Sequence, residues 1–150
     1  MAVAGGGELQ AELASHSAAL GVADRAHFLG ELPRDRVPDL LNAGDVFAMP
    51  SRFEGLSNAL LEAMAAGLPV LASDIPAHRE LIDGRGWGVL FCAGDADDMA
   101  AKLRQMLTTD TAPMRRAAMI LRQEFTLDHM VEQYEQACLA AAETARQRWR

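Results

Sequence analysis

The chain has 150 residues, enough for one domain with a full hydrophobic core. Half of it is hydrophobic and 23% is charged, which marks a globular rather than a disordered sequence. A formal charge of −7, from 14 Lys+Arg against 21 Asp+Glu, suits the phosphate backbone of nucleic acid poorly and argues against nucleic-acid binding.

In chain order, short apolar runs at 1–4, 26–29, 46–49, 69–72 and 88–91 read as strands. Helical patterns lie between them at about 8–20, 34–43, 58–66 and 76–82. Strands that alternate with helices predict an α/β fold, a Rossmann-like parallel sheet with helices on both faces. Beyond residue 91 the pattern changes to helix alone, at 97–107, 113–123 and 127–147. Asp95 or Asp97 is placed to cap the first of these and Thr126 the last, and Pro113 suits a helix start. No internal repeat or low-complexity linker divides the sequence. It is expected to form one domain, with a body at 1–126 and a closing helix and tail at 127–150 that packs elsewhere. Residues 1–7 read as a strand running straight into a glycine turn without a lead-in, the pattern of a chain cut from something larger.

No apolar stretch approaches the ~20 uninterrupted residues of a membrane span. Glu62 and Pro69 break the longest ones, and residues 1–10 lack the basic start of a signal peptide. Cys92 and Cys138 sit far apart in dissimilar segments, which gives neither a disulfide framework nor a zinc site and suits a reducing compartment. The expected location is therefore cytoplasmic.

The stretch from Asn42 to Ser73 carries the most chemistry. A buried strand ends at Pro50, a polar loop follows, and a helix begins near Ser57. Gly67 is expected to close that helix as a left-handed cap, and Pro69 prevents its continuation. Leu60, Leu61, Met64 and Leu68 form a core-facing stripe. Asn58, Glu62, Ala65 and Ala66 fall on the other side, a low wall over which a ligand can lie close. Free N–H groups at such a helix start attract anions, phosphate above all, which makes residues 55–58 an anion seat. Glu54 sits beside it and Glu62 a turn or two along. Carboxylates next to a phosphate seat repel the phosphate, so they fit better as acceptors for sugar hydroxyls, and the combination describes a sugar nucleotide. The plain alternative makes Glu54 and Glu62 ordinary surface charges.

Glu54 through Glu62 resembles the E-x7-E motif of the retaining GT-B glycosyltransferases of group 1, or family 4. Pro50-Ser51-Arg52-Phe53-Glu54-Gly55 and Leu61-Glu62-Ala63-Met64-Ala65-Ala66-Gly67-Leu68-Pro69-Val70 match its surroundings. The likeness continues through Ala4-Gly5-Gly6-Gly7, His27-Phe28-Leu29-Gly30 and Asp45-Val46 upstream, and Glu80, Gly88-Val89-Leu90, Gly94-Asp95 and Phe125 downstream.

The resemblance implies the C-terminal, donor-binding half of a GT-B fold. Glu54 would contact hydroxyls of the donor sugar as the catalytic-site carboxylate, and Glu62 would bind the ribose. Backbone amides of Gly55, Leu56 and Ser57 would line the sugar–phosphate site, with Asn58 beside them. The turn at Glu31 and Leu32 would hold the base. The implied activity is hexose transfer from a UDP-, GDP- or ADP-sugar to a saccharide or lipid-linked acceptor, with no cofactor and no metal. The implied partner is an acceptor-binding N-terminal domain or a separate chain. A non-catalytic module or subunit that binds a nucleotide sugar is the alternative.

Two departures from the family stand out. Its diphosphate-binding Arg and Lys belong to a strand–loop–helix unit ahead of the Ala-Gly-Gly-Gly strand, which this sequence does not show, and Arg52 is not placed to replace them. The strand of that unit is the central one of a sheet ordered 3-2-1-4-5-6. Without it the strands at 1–4 and 46–49 lose their shared neighbour, and the chain, as a truncated product or an excised domain, is expected to be inactive alone.

Other signals point to structure. Gly5-Gly6-Gly7 falls short of a dinucleotide fingerprint because Gln10 stands where glycine is required. Asp95-Ala96-Asp97 reads as a cap rather than a metal motif. Ser57, in Gly55-Leu56-Ser57-Asn58-Ala59, lacks the strand-to-helix elbow of a hydrolase nucleophile. His78 is expected at the surface, His16, His27 and His129 as structural or solvated, and Cys92 as a small core residue. Trp87 and Trp149 make no stacking platform. Arg146, Arg148 and Arg150 form a basic tail suited to peripheral contact with an anionic membrane surface.

Overall fold

A computed structural model describes residues 1–148; Trp149, Arg150 and the side chain of Arg148, and so most of the basic tail, lie outside the described residues. The elements are β1 (Ala2–Ala4), α1 (Gln10–Ala19), β2 (His27–Gly30), α2 (Val37–Asn42), β3 (Phe47–Met49), α3 (Asn58–Ala65), β4 (Val70–Ser73), α4 (Pro76–Ile82), β5 (Gly88–Phe91), α5 (Ala96–Thr108), α6 (Ala112–Leu121) and α7 (Leu127–Arg148). They follow the expected alternation with one local change. The helix expected over 34–43 divides into a 3₁₀ turn, Arg34–Arg36, and α2. Pro38 lacks a backbone N–H and is tolerated only in a first turn, so the α-helical ladder cannot start much earlier.

The chain forms two compact units, Met1–Leu40 and Leu41–Arg150. In the first, β1 and β2 pair in parallel, with Ala2 opposite His27, Val3 opposite Phe28 and Ala4 opposite Gly30 after a register shift. The Met1 amine donates to the Arg25 carbonyl at 2.7 Å. Val3 and Phe28 are half-buried and Ser17 is buried.

In the second unit the sheet runs β3-β4-β5, all parallel. Phe47 pairs with Val70, and Val70 in turn with Gly88. All four residues of β4 are buried. Successive strand side chains point to opposite faces, so β4 is covered on both. Leu71, Phe91 and Met106 form a core cluster with Val46, Val89, Met99, Leu103 and Met114 packed on it. Met99, Leu103 and Met106 project from α5 at helical spacing. Trp87 is fully buried and its Nε1–H donates to the Leu81 carbonyl at 2.7 Å.

The caps form as read. The Asp95 carboxylate accepts from the Asp97 and Asp98 amides at 3.0 Å, and Thr126 Oγ1 accepts from the His129 amide at 3.2 Å. Pro113 occupies the first turn of α6. Cys92 departs from its expected core position and is exposed. β5 stops at Phe91, and Cys92 already belongs to the turn into α5, where its N–H donates to Asp98 Oδ2 at 2.7 Å. On α7, Leu127, Met130, Val131 and Tyr134 are exposed.

Gly67 ends α3 at a φ of +72°, and a Cβ there would lie 3.5 Å from Met119 Cγ. An L side chain in this left-handed conformation costs about 1–2 kcal/mol. Gly67→Ala is therefore expected to lower the unfolding free energy by that amount, read as a lower urea midpoint at an unchanged m-value. An unaltered midpoint would mean that the turn between α3 and β4 relaxes freely.

Candidate functional site

The loop between β3 and α3 lies within the second unit and is anchored at both ends. Met49 closes β3, and Ser57 caps α3 with a side chain that accepts from the Leu60 amide at 3.3 Å. Ser57 Oγ–H also points to Met49 Sδ at 3.0 Å, and the residue is 1% exposed. A hydroxyl so buried and bonded in both directions is a cap and a tie between loop ends, and it offers no nucleophile. The hydrolase reading of Ser57 ends there.

Among the described residues the amides of Gly55, Leu56, Ser57, Asn58 and Ala59 donate to no intramolecular acceptor. Those of Ser57, Asn58 and Ala59 are the open donors of a helix start, where the macrodipole adds positive potential, and those of Gly55 and Leu56 extend the row into the loop. A Cβ on Gly55 would meet nothing within 4 Å, so the space over this backbone is open. Leu60, Ala63 and Met64 of α3 are buried, with Leu68 beyond them, while Asn58, Glu62 and Ala65 are exposed and Ala66 is half-buried. The low wall read from the sequence is present, and Ala63, an alanine not assigned to the stripe, is part of the buried side.

Glu54 is half-buried in the loop, and its Oε1 accepts from Ser51 Oγ–H at 2.8 Å. Glu62 stands one helical turn along from Asn58 on the same exposed face. Arg52 is exposed. Phe53 and Leu56, 87% and 63% exposed, stand on either side of Glu54-Gly55. A cleft of about 510 Å³ opens against Gly55 and Leu56, lined also by Glu80, Arg85, Phe125 and His129. That volume is in the range of small-ligand sites. On its wall Arg85 pairs with Glu124 at 3.2 Å. Glu31 and Leu32 belong to the first unit, in the turn after β2, where a Cβ on Gly6 would come within 3.0 Å of Glu31 Cγ.

Behind the loop the structure shows what the sequence reading missed. His78 is not at the surface: it is fully buried, on the inward side of α4 with Leu81 and Ile82. Its Nδ1 lies 2.9 Å from the Ser73 carbonyl oxygen and 3.3 Å from Ser73 Oγ. Ser73 Oγ–H donates to the Ser51 carbonyl. Among the described residues, His78 Nε2 is buried without a partner. The i, i+3, i+4 spacing of 78, 81 and 82 was the available signal, masked because histidine is usually at least partly solvated.

Residues 1–109 match the family described as glycosyl transferases group 1, and the chain belongs to that family. It is 40% identical over 92 residues to the lipopolysaccharide core biosynthesis mannosyltransferase LpsB of Rhizobium meliloti, covering 60% of this chain and 26% of that protein. It is 33% identical over 129 residues to a D-inositol 3-phosphate glycosyltransferase of Mycolicibacterium vanbaalenii, covering 86% of this chain and 29% of that one. Among solved structures it resembles Anabaena Alr3699/HepE in complex with UDP, at a TM-score of 0.82 and 26% identity over 93% of this chain and 40% of that chain. The chain thus has the Rossmann-like architecture of the GT-B glycosyltransferases. It spans under a third of the two curated relatives just named.

At the end of β4, Arg79 holds Asp74 with two hydrogen bonds, one of them from Nη2 to Oδ2 at 2.7 Å. These bonds keep the Asp74 carboxyl below its ordinary value of 3.8. A depressed folded-state pKa stabilises the fold above the unfolded value, and the contribution disappears as pH falls through the folded one. The stability gap between wild type and Asp74→Asn should therefore be constant near neutrality and shrink below about pH 4. Urea melts across that range check it, and a gap independent of pH would contradict the assignment.

Proposed function

We propose that this chain is the donor-binding portion of a retaining hexosyltransferase. In this reading a hexose passes from a nucleotide sugar to a saccharide or lipid-linked acceptor held by an N-terminal domain or a separate chain. The single observation that carries it is the loop over residues 51–57. Its unpaired amides at the start of α3 lie between a half-buried carboxylate, Glu54, and an exposed one, Glu62. The neighbouring structure of HepE is a complex with UDP, and another of the same protein is a complex with UDP-glucose, which supports a nucleotide-sugar ligand here.

The chemistry follows from charge. The diphosphate is the anionic part of a donor and fits the helix start, where amides at 55–58 donate without any reorganisation of the backbone. Ser51 occupies one lone pair of Glu54 Oε1 and fixes the carboxylate, leaving Oε2 to accept a sugar hydroxyl. Glu62 accepts from the ribose across the low wall of Asn58 and Ala65. By the family resemblance alone, the main chain of Glu31 and Leu32, in the first unit, is assigned to the base. As the glycosidic bond breaks, negative charge develops on the leaving diphosphate, and two nearby carboxylates oppose it. Cations from outside this site must offset them, so the isolated chain is expected to bind donor and transfer little. In the cell the reading puts it in the cytoplasm, in peripheral contact with the inner membrane face. No described helix is long and apolar enough to cross a membrane.

Calorimetry on the chain with UDP-glucose, GDP-mannose and ADP-glucose, each against its bare diphosphate, tests the assignment. Losing one charged hydrogen-bond acceptor costs about 1.5–3 kcal/mol, or roughly ten- to a hundredfold in affinity. Glu54→Gln is expected to weaken the sugar nucleotide by that factor and to leave the bare diphosphate bound as tightly or more tightly, because a repelling charge is removed, whereas Glu62→Gln weakens both. Wild type that binds none of the six ligands, or variants that bind as wild type does, would refute the reading.

A further inference from the structure

His78 is costly where it stands. A fully buried imidazole with one ring nitrogen unpaired is a poor core residue, since an apolar side chain of similar shape would leave nothing unsatisfied. What the residue provides is on its other nitrogen. The Ser73 carbonyl can only accept, so the proton of the ring sits on Nδ1 and is shared between that oxygen at 2.9 Å and Ser73 Oγ at 3.3 Å. With Oγ receiving from the imidazole, its own hydrogen is directed away, to the Ser51 carbonyl. Ser51 is thereby held through its backbone, and its side chain delivers a hydrogen bond to Glu54 Oε1 at 2.8 Å. Every donor in this series points the same way, from the core under α4 out to the loop. Phe53 and Gly55, the immediate neighbours of Glu54, are exposed, and a Cβ on Gly55 would touch nothing. The inward ties of this stretch of loop are the Ser51 series and the Ser57 cap.

We infer that His78 is a positioning residue for Glu54, acting through Ser73 and Ser51 to set where that carboxylate meets the donor sugar. The inference rests on the reading of Glu54 as the ligand of the donor sugar. It assigns to His78 a role in discriminating a sugar nucleotide from its bare diphosphate, since the diphosphate seat at 55–58 is fixed independently by the Ser57 cap. Fixing a polar ligand by hydrogen bonds behind it is a general way of holding a site to geometry.

The experiment uses the 150-residue chain and the variants His78→Leu, His78→Asn, Ser73→Ala and Ser51→Ala. Asparagine keeps an N–H close to the place of Nδ1, and Ser73→Ala removes a single oxygen, so the comparison survives if His78→Leu folds poorly. Two readouts are taken. The first is the ¹³C resonance of the Glu54 side-chain carboxyl without ligand. It should move in His78→Leu and Ser73→Ala and stay near wild type in His78→Asn. The second is the ratio of affinities for UDP-glucose over UDP, GDP-mannose over GDP, and ADP-glucose over ADP. For the pair that binds, the ratio should fall about tenfold in His78→Leu and Ser73→Ala with the diphosphate unaffected, and His78→Asn should retain it. Adding His78→Leu to Ser51→Ala should lower it no further, because both act through one series.

A resonance unmoved in His78→Leu and Ser73→Ala, or sugar nucleotide and diphosphate weakened equally, would overturn the inference, since a merely structural histidine gives that result. If the resonance moves as stated while wild type binds none of the six ligands, the link from His78 to Glu54 is supported and the donor reading is what fails.

Discussion

The complete burial of β4 is the constraint on which the second unit depends. Val70, Leu71, Ala72 and Ser73 are covered on both faces and paired on both edges, so this strand has no freedom to shift register. Its N-terminal end receives α3 through the left-handed Gly67 and the buried Leu68 and Pro69, which fixes where α3 points. Its C-terminal end places Ser73 against both the loop after β3 and the ring on α4. One strand thus determines the direction of the helix whose start is the proposed anion seat and the anchoring of the loop that carries Glu54. In parallel α/β sheets ligands gather at the C-terminal ends of strands, and the position of the site follows from that rule.

Electrostatics explains the division of labour along the loop. The start of α3 favours negative charge, yet Glu54 and Glu62 flank it and carry charge of the same sign as a phosphate. Such an arrangement is unfavourable for a free phosphate ion and becomes favourable for a ligand that presents phosphate to the amides and hydroxyls to the carboxylates. A nucleotide sugar has that order of groups: sugar, diphosphate, ribose. Under the proposed function, the same charges oppose the negative charge that develops on a departing diphosphate, and Glu54 and Glu62 outnumber Arg52, the loop's one cation. Membership of the group 1 glycosyl transferases and coverage of under a third of the two curated relatives agree with a site that forms one part of a larger catalytic centre.

Much of this was legible in the sequence because the signals are local. The Gly67–Pro69 stop, the Asp95 and Thr126 caps, and the 3.6-residue stripe of Leu60, Leu61, Met64 and Leu68 are each settled by a few neighbouring residues. The five strands were found for the same reason, as short apolar runs between turn residues. The failures concern distance. Cys92 reads as a small hydrophobe, but whether it is buried depends on β5 ending one residue earlier. His78 reads as a polar residue on a short helix. Its burial depends on α4 turning Leu81 and Ile82 inward with it, and its hydrogen bonds run to residues that lie on other elements. Ser51 and Ser73 are ordinary residues in the sequence, and their importance lies in a contact across 22 positions that no local pattern encodes.

The central claim is that a sugar nucleotide seats its diphosphate on the amides of residues 55–58 leading into α3, and amide NMR during titration with UDP-glucose, GDP-mannose and ADP-glucose tests it most directly. The account predicts that for the donor that binds, the largest shifts fall on Gly55, Leu56, Ser57 and Asn58. Shifts gathered instead around the separate 370 Å³ hollow at Asp83, Gly84 and Gly86, with residues 55–58 unmoved, would contradict it.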